Sequence, residues 1–259
     1  MKLAMSQIAW CEEDERAALE ILREYGFSGL EIAPTRVAGS SPYQSAEKAA
    51  KFAAVVHDEF GLWICSMQSI WYGQQGSMFG PEREHLMDYT KQAVLFAEAA
   101  GAGNIVFGNP KNRVIPQGKS ADDALSFFKE AGDFAAIHST TVALEANPPV
   151  YGTNFMNTTA QAFAVQEKVA SAGCCVNLDI GTMLINNEQI EVLAGKMRRV
   201  NHVHISEPEL AMIAPRALHR ELAQLLREEG YGGYVSVEMK SQPLEEVRRA
   251  AAYLAEVFA

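Results

Sequence analysis

Four short runs in the C-terminal half of the sequence decide the fold. Each is apolar at alternate positions and ends on a polar side chain that can bind a metal ion. The runs are Thr141-Val142-Ala143-Leu144-Glu145, Cys175-Val176-Asn177-Leu178-Asp179, Val200-Asn201-His202-Val203-His204 and Tyr234-Val235-Ser236-Val237-Glu238. Their final residues are 34, 25 and 34 positions apart. Each interval accommodates one strand, one helix and two loops, which is the βαβ repeat of a parallel sheet.

The alternation within the runs predicts which side chains share a face. Successive side chains of a strand point to opposite faces of the sheet. One face of these runs is branched and aliphatic and is suited to packing against helices. The other face is small or polar and carries all four terminal residues. If the strands close into a barrel, Glu145, Asp179, His204 and Glu238 ring its carboxyl-end mouth, where barrel enzymes keep their active sites.

The rest of the chain continues the same alternation of strands and helices. The pattern predicts four earlier strands, at 3–6, 29–33, 62–67 and 104–108. It predicts helices at 13–25, 45–60, 82–100, 121–138, 159–171, 187–196, 216–229 and 244–257. With no linker between them, these units predict a single α/β domain over residues 1–259, a (β/α)8 TIM barrel. A doubly wound open sheet fits less well, because no glycine-rich phosphate loop follows the first strand.

Composition and charge exclude several classes of protein. The formal net charge of -10 and a pI near 5.1 argue against binding to nucleic acid or to an anionic membrane surface. No apolar run approaches the length of a membrane span, and the N-terminus lacks the pattern of a signal peptide. The four cysteines form no CxxC motif, which favours reduced, mostly buried thiols. We therefore expect a cytoplasmic protein.

The four terminal residues form a ligand set rich in oxygen. Two glutamates, an aspartate and a histidine suit Mn²⁺, Mg²⁺ or Co²⁺, and Zn²⁺ is also compatible. Charges clustered at one mouth would repel one another without a cation. A sugar carbonyl and its neighbouring hydroxyl can chelate such an ion, which polarises the carbonyl. Glu145 and Glu238 then become candidates for a general base and a general acid that move a proton on and off carbon.

The motifs around these residues resemble a known superfamily. They are Leu144-Glu145-Ala146-Asn147, Asn177-Leu178-Asp179-Ile180-Gly181, His202-Val203-His204-Ile205-Ser206-Glu207 and Ser236-Val237-Glu238-Met239, with Gly26-Phe27-Ser28-Gly29-Leu30-Glu31 in the second strand. They look like the xylose-isomerase-like TIM barrels, and more closely like the sugar (phosphate) isomerase/epimerase branch that includes the ketose 3-epimerases. The resemblance covers nearly the whole chain.

The resemblance implies a function and roles for the four residues. It implies metal ligation by Glu145, Asp179, His204 and Glu238, and proton transfer by Glu145 and Glu238 through a cis-enediolate. The implied substrate is a small sugar or sugar phosphate, and the implied assembly is a homodimer or homotetramer.

Three positions depart from the ketose 3-epimerase pattern. That pattern has a histidine three residues after the aspartate ligand, where this chain has Thr182. It often has a glutamate six residues after the first glutamate ligand, where Tyr151 stands here, and an arginine six residues after the histidine ligand, where Leu210 stands. The positions that contact sugar are therefore changed while the ligand set is intact.

Nine further residues are candidates for contact with substrate. They are Glu31, Gln68, Trp71, Asn109, Lys111, Arg113, Asn147, His202 and Lys240. Lys111 and Arg113 follow the fourth strand and suit a phosphate or carboxylate, although a solvated loop explains them equally well. Trp71 suits stacking on a sugar ring or ordinary packing. His202 suits a role behind His204 or a hydrogen-bonded place in the core.

Three other functions remain open at the level of sequence. An inosose-dehydratase-like lyase would use the same metal and the same first proton abstraction. A phosphodiesterase resembling endonuclease IV needs more histidine ligands, whereas the spare histidines fall in predicted helices or at their ends. They are His57, His85, His138 and His219. A barrel that binds a ligand without catalysis is the third alternative.

Overall fold

The computed structural model describes every residue from Met1 to Ala259 and contains one closed barrel of eight parallel strands. The strands are β1 (Lys2–Ser6), β2 (Gly29–Ile32), β3 (Trp63–Met67), β4 (Ile105–Phe107), β5 (Val142–Glu145), β6 (Cys174–Asp179), β7 (Val200–Ser206) and β8 (Tyr234–Glu238). Each strand pairs with the next along the chain, and β8 pairs with β1. The predicted α/β class and TIM-barrel fold are confirmed.

Nine α-helices connect the strands and surround the barrel. They are α1 (Glu15–Glu24), α2 (Pro34–Ala38), α3 (Ala46–Phe60), α4 (Arg83–Ala100), α5 (Leu125–Ile137), α6 (Thr159–Val169), α7 (Ile180–Asn186), α8 (Ala217–Glu228) and α9 (Leu244–Phe258). Short 3-10 turns complete the connections. The aliphatic face of each strand is buried against this outer layer, as the alternating runs predict.

One predicted helix is wrong and one was missed. The stretch 187–196 contains only a 3-10 turn at Ile190–Leu193, whereas α7 starts directly after β6. The side chain of Asp179 accepts a hydrogen bond from the backbone N of Thr182 and so caps α7, and Asn187, in the left-handed region with φ 53°, ends it. The short helix α2 lies in a stretch that was predicted as a loop.

Strand register brings the candidate residues to the carboxyl end of the barrel. Asp179 pairs with His204 across β6 and β7, and Glu238 pairs with Ser206 across β7 and β8. Glu145, the last residue of β5, pairs with Asn177. Their side chains all face the barrel axis or its mouth, because residues two apart on a strand share a face.

No helix of the chain has both the length and the apolar composition that spanning a bilayer requires.

Candidate metal centre at the mouth of the barrel

A polar cavity of about 440 Å³ opens at the carboxyl end of the barrel. Its walls are formed by Glu145, Asn147, Tyr151, Asp179, Gly181, Ser206, Glu207, Glu209, Leu210, Glu238 and Lys240. This size falls within the range of about 300–1,000 Å³ that is usual for small-molecule sites. Five of the sequence-predicted residues, namely Glu145, Asn147, Asp179, Glu238 and Lys240, therefore share one cavity.

His204 lies fully buried at the base of this cavity, between two carboxylates. Its Nδ1 atom is 3.3 Å from Oε1 of Glu145 and 3.2 Å from Oε2 of Glu238. The three ligand atoms lie within 4.8 Å of one another. One nitrogen and two carboxylate oxygens at this separation can close around a single divalent ion.

Asp179 lines the cavity beside this cluster and is held by its own hydrogen bonds. One carboxylate oxygen accepts from the backbone N of Thr182 at 2.8 Å, and the other accepts from the hydroxyl of Ser206. The backbone N of Gly181 donates to the same hydroxyl at 2.8 Å. A carboxylate oxygen has two lone-pair sites, so Asp179 keeps capacity for a metal ion while it caps α7.

The electrostatics of the cluster favour an added cation. Burial raises the pKa of Glu238 to about 7, and the charge of Glu145 adds to that effect, although His204 opposes it. Burial and the charge of Glu145 also raise the pKa of Asp179. Burial disfavours the charged imidazole of His204, yet the carboxylates of Glu31 and Glu238 raise its pKa well above the ordinary value. A proton on His204 thus offsets part of the negative charge of the surrounding carboxylates, and a divalent ion would offset more of that charge.

A third carboxylate supports His204 from below. Nε2 of His204 is 2.9 Å from Oε2 of the fully buried Glu31. Burial opposes the charged form of Glu31, but the charge of His204 lowers the pKa of this carboxyl below its ordinary value. With Nε2–H donated to Glu31, Nδ1 is the nitrogen that faces the cluster, where Nδ2 of Asn177 lies 3.2 Å from it. A metal ion bound at Nδ1 would replace that contact and give the usual arrangement of a metal-binding histidine.

Three residues predicted to touch substrate lie beneath His204 instead. Glu31 faces the imidazole, and Gln68 donates to Glu31 at 3.3 Å and to the hydroxyl of Ser6. Nε2 of His202 is 3.2 Å from Oε2 of Glu31, but the geometry does not form a hydrogen bond. Burial lowers the pKa of His202. None of the three lines the cavity.

The residues after β3 and β4 also lie outside the cavity wall. Trp71 is buried edge-on against Phe107 and Phe127, with ring centroids 4.8 and 5.7 Å away, and therefore offers no free face to a sugar. Asn109 is half-buried beyond the wall, and Lys111 is exposed on a 3-10 turn.

Arg113 is fully buried at the carboxyl end of β5 rather than exposed to a ligand. It donates to the backbone O of Glu145 at 2.8 Å and to Oδ1 of Asn147 at 2.8 Å. Burial lowers the pKa of its guanidinium to about 10, so the group stays charged at neutral pH.

Several residues of the wall were not predicted from the sequence. Tyr151, Glu209 and Leu210 come from the loops after β5 and β7, and the hydroxyl of Tyr151 accepts from the backbone N of Glu209 at 3.0 Å. Glu207 is the last residue of the motif at β7, directly after the strand, and is paired with Arg216. Tyr151 and Leu210 stand where the related pattern has sugar-contacting residues, which was the one signal in the sequence that pointed to them.

Comparisons with known proteins agree with the fold. The family model described as a xylose isomerase-like TIM barrel matches residues 19–257. No curated protein matches the sequence. Among solved structures, the apo 3-keto-D-glucoside 4-epimerase of E. coli is similar with a TM-score of 0.78, 19% identity and coverage of 99% of both chains.

Two further structures illustrate the range of similar barrels. The D-psicose 3-epimerase of Clostridium cellulolyticum H10, solved with D-tagatose, has a TM-score of 0.79, 17% identity and coverage of 99% of this chain and 97% of its own. The IOLI protein, solved with a zinc atom, has a TM-score of 0.72, 17% identity and coverage of 99% and 95%. At these identities the likeness establishes the fold.

Proposed function

Because the chain belongs to the xylose isomerase-like TIM barrel family, we propose that it is a divalent-metal-dependent isomerase or epimerase of a small, unphosphorylated sugar. The observation that carries this proposal is the placement of two carboxylates, Glu145 and Glu238, on either side of Nδ1 of His204 at the base of a polar cavity. The similarity of the chain to solved structures of sugar epimerases supports it.

The residues that would hold the metal ion are Glu145, Asp179, His204 through Nδ1, and Glu238. This donor set fits Mn²⁺, Mg²⁺ or Co²⁺, and Zn²⁺ also accepts it. The bound ion would supply positive charge that polarises a carbonyl and makes the neighbouring C–H more acidic.

Glu145 and Glu238 would carry out the proton transfers. One carboxylate takes a proton from the carbon next to the carbonyl, and the C–H electron pair moves into an enediolate. The other carboxylate returns a proton, either to the opposite face of the same carbon or to the adjacent carbon. The first outcome is epimerisation and the second is isomerisation.

The charges of the cavity favour an unphosphorylated substrate. Five carboxylates line the wall, and Lys240 is the one basic residue among them. Arg113 is buried outside the wall, where its two terminal nitrogens bond Glu145 and Asn147, and Lys111 also lies outside the wall. A phosphate dianion would therefore meet several negative charges and only one cation, whereas a neutral sugar can use carboxylates as hydrogen-bond acceptors.

The proposal is tested by solvent exchange. Apo protein loaded with Mn²⁺ in D₂O is incubated with ketoses, their phosphate esters and inososes, and deuterium in recovered substrate is measured by mass spectrometry and NMR. We expect incorporation at the carbon next to the carbonyl, abolished by EDTA. Glu145→Gln and Glu238→Gln should lose exchange, whereas Glu209→Gln, also in the wall but outside the metal cluster, should retain it. No exchange with any compound would overturn the proposal.

The same assay separates the alternative chemistries. Enone absorbance without returned deuterium would indicate a lyase that expels a β-hydroxyl after the same first step. The phosphodiesterase alternative has little support, since none of His57, His85, His138 and His219 lines the cavity.

A further inference from the structure

We infer that Arg113 is a positioning residue, which fixes the carboxylate of Glu145 for metal binding by orienting Asn147. The inference rests on the proposed function. The position of Arg113 in the sequence suggested a substrate contact, but its side chain is buried behind the cavity wall, against the carboxyl end of β5.

The first step of the argument concerns Asn147. A guanidinium has only donors, so the side-chain atom of Asn147 that faces it at 2.8 Å is the carbonyl Oδ1. The amide Nδ2 must then point the other way, and it donates to Oε2 of Glu145 at 3.1 Å. No other group donates to Oδ1, so without Arg113 nothing would hold the amide in this orientation.

The second step concerns Glu145 itself. Its Oε2 is taken by Asn147, while Oε1 accepts from Nδ2 of Asn177 at 2.8 Å and faces His204. A Cβ on Gly108 would lie 2.5 Å from Oε2, so the backbone directly after β4 closes the remaining side. The carboxylate therefore has one orientation, in which Oε1 is the oxygen offered to the metal ion.

The third step concerns the cost of burying Arg113. The guanidinium forms no ion pair, its Nε has no partner, and its two strongest bonds go to the backbone O of Glu145 and to Asn147. An uncompensated buried charge is expensive. The nearby negative charge of Glu145 offsets part of that cost, and this ties Arg113 to the candidate metal centre.

The test measures Mn²⁺ affinity of the apo protein by isothermal titration calorimetry in wild type, Arg113→Gln, Arg113→Lys, Asn147→Ala and the double variant Arg113→Gln/Asn147→Ala. Loss of a residue that orients a ligand typically weakens metal binding about 10- to 100-fold. We expect that loss of affinity in Arg113→Gln and a smaller loss in Arg113→Lys. The double variant should bind Mn²⁺ no more weakly than the weaker-binding of its two single variants, because both residues act along one path.

Arg199→Gln is the matched control, since Arg199 bonds Gln166 and the backbone O of Phe163 next to β7 at the opposite end of the barrel. It should lower thermal stability and leave Mn²⁺ affinity within about twofold of wild type. Gly108→Ala provides an independent perturbation of Glu145 should the arginine variants fail to fold, and it should weaken Mn²⁺ binding to a similar degree. For active variants, kcat in the exchange assay should fall more than KM changes.

Two results would count against the inference. Mn²⁺ affinity within twofold of wild type in Arg113→Gln, or in Asn147→Ala if the former is unfolded, rejects the role of Arg113 and leaves the proposed function intact. Failure of wild-type protein to bind any divalent ion rejects the proposed function, and the inference falls with it.

Discussion

The contact between Glu31 and His204 allows a quantitative prediction for Glu31→Gln. The substitution keeps the shape of the side chain but removes the charge that lies 2.9 Å from Nε2 of His204, with both groups fully buried. A hydrogen bond to a charged group is worth about 1.5–3 kcal/mol, and breaking a buried pair outright costs about 3–5 kcal/mol. Because glutamine can still bond His204, and Glu145 and Glu238 still balance the imidazole, we expect the apo protein to lose about 2–3 kcal/mol.

The corresponding change in melting temperature follows from the size of the chain. An unfolding entropy of about 2.1 cal/mol/K per residue, over 259 residues, converts 2–3 kcal/mol into a decrease of about 4–6 °C. The assay is thermal unfolding followed by circular dichroism in EDTA. Repeated with Mn²⁺, it should also reveal metal binding weakened about 10- to 100-fold, because the support of the ligand nitrogen is lost.

The control is Glu47→Gln, which removes one partner of an exposed helical pair with Lys51. Such pairs contribute about 0.3–0.5 kcal/mol, so its melting temperature should change by about 1 °C or less. If Glu31→Gln melts as close to wild type as this control does, Glu31 does not support His204 in the way described here.

Three more predictions follow from the same geometry. Glu145→Gln and Glu238→Gln should each lower the deuterium exchange rate by about 100-fold or more, the usual contribution of general acid–base catalysis, as measured by NMR. Lys240→Met should raise KM for the best free sugar about 10-fold or more with a smaller effect on kcat, because it removes a charged donor from the cavity wall. Burial lowers the pKa of His219 to about 4 from 6.5. Between these two pH values the unfolded chain binds more protons than the folded chain, so the free energy of unfolding should fall by about 2 kcal/mol from pH 7 to pH 5. Urea unfolding of His219→Gln, in which this loss should disappear, checks that value.

The sequence was sufficient for the fold because the information lies in local periodicity. Alternating apolar positions and regular spacing specify strands and crossovers, and eight such units close a barrel. The α7 region shows the limit of this reasoning. Asp179 was interpreted as a ligand alone, yet it also caps a helix that starts at the next residue, so the helix lies earlier than its composition indicated.

The candidate site was predictable only where residues stand on strands. Strand phase placed Glu145, His204 and Glu238 on one face, and their side chains lie together in the structure. Loop residues have no such phase, so nothing in the sequence distinguished Lys240, which lines the cavity, from Lys111, which does not. Strand periodicity also does not specify how deep in the barrel a side chain lies. Glu31 was therefore expected to contact substrate, whereas it lies beneath His204.

The two glutamates beside His204 are unequal in their surroundings, and this bears on their chemistry. Glu145 accepts from Asn147 and Asn177 and is confined by Gly108, so moving it breaks several contacts. Glu238 accepts no hydrogen bond from an amide, contacts His204 alone among the basic groups, and has a pKa raised by burial to about 7. A group that exchanges protons near neutral pH needs both a matched pKa and freedom to follow the substrate. Glu238 meets these conditions better, and Glu145 is better suited to holding a metal ion in a fixed place.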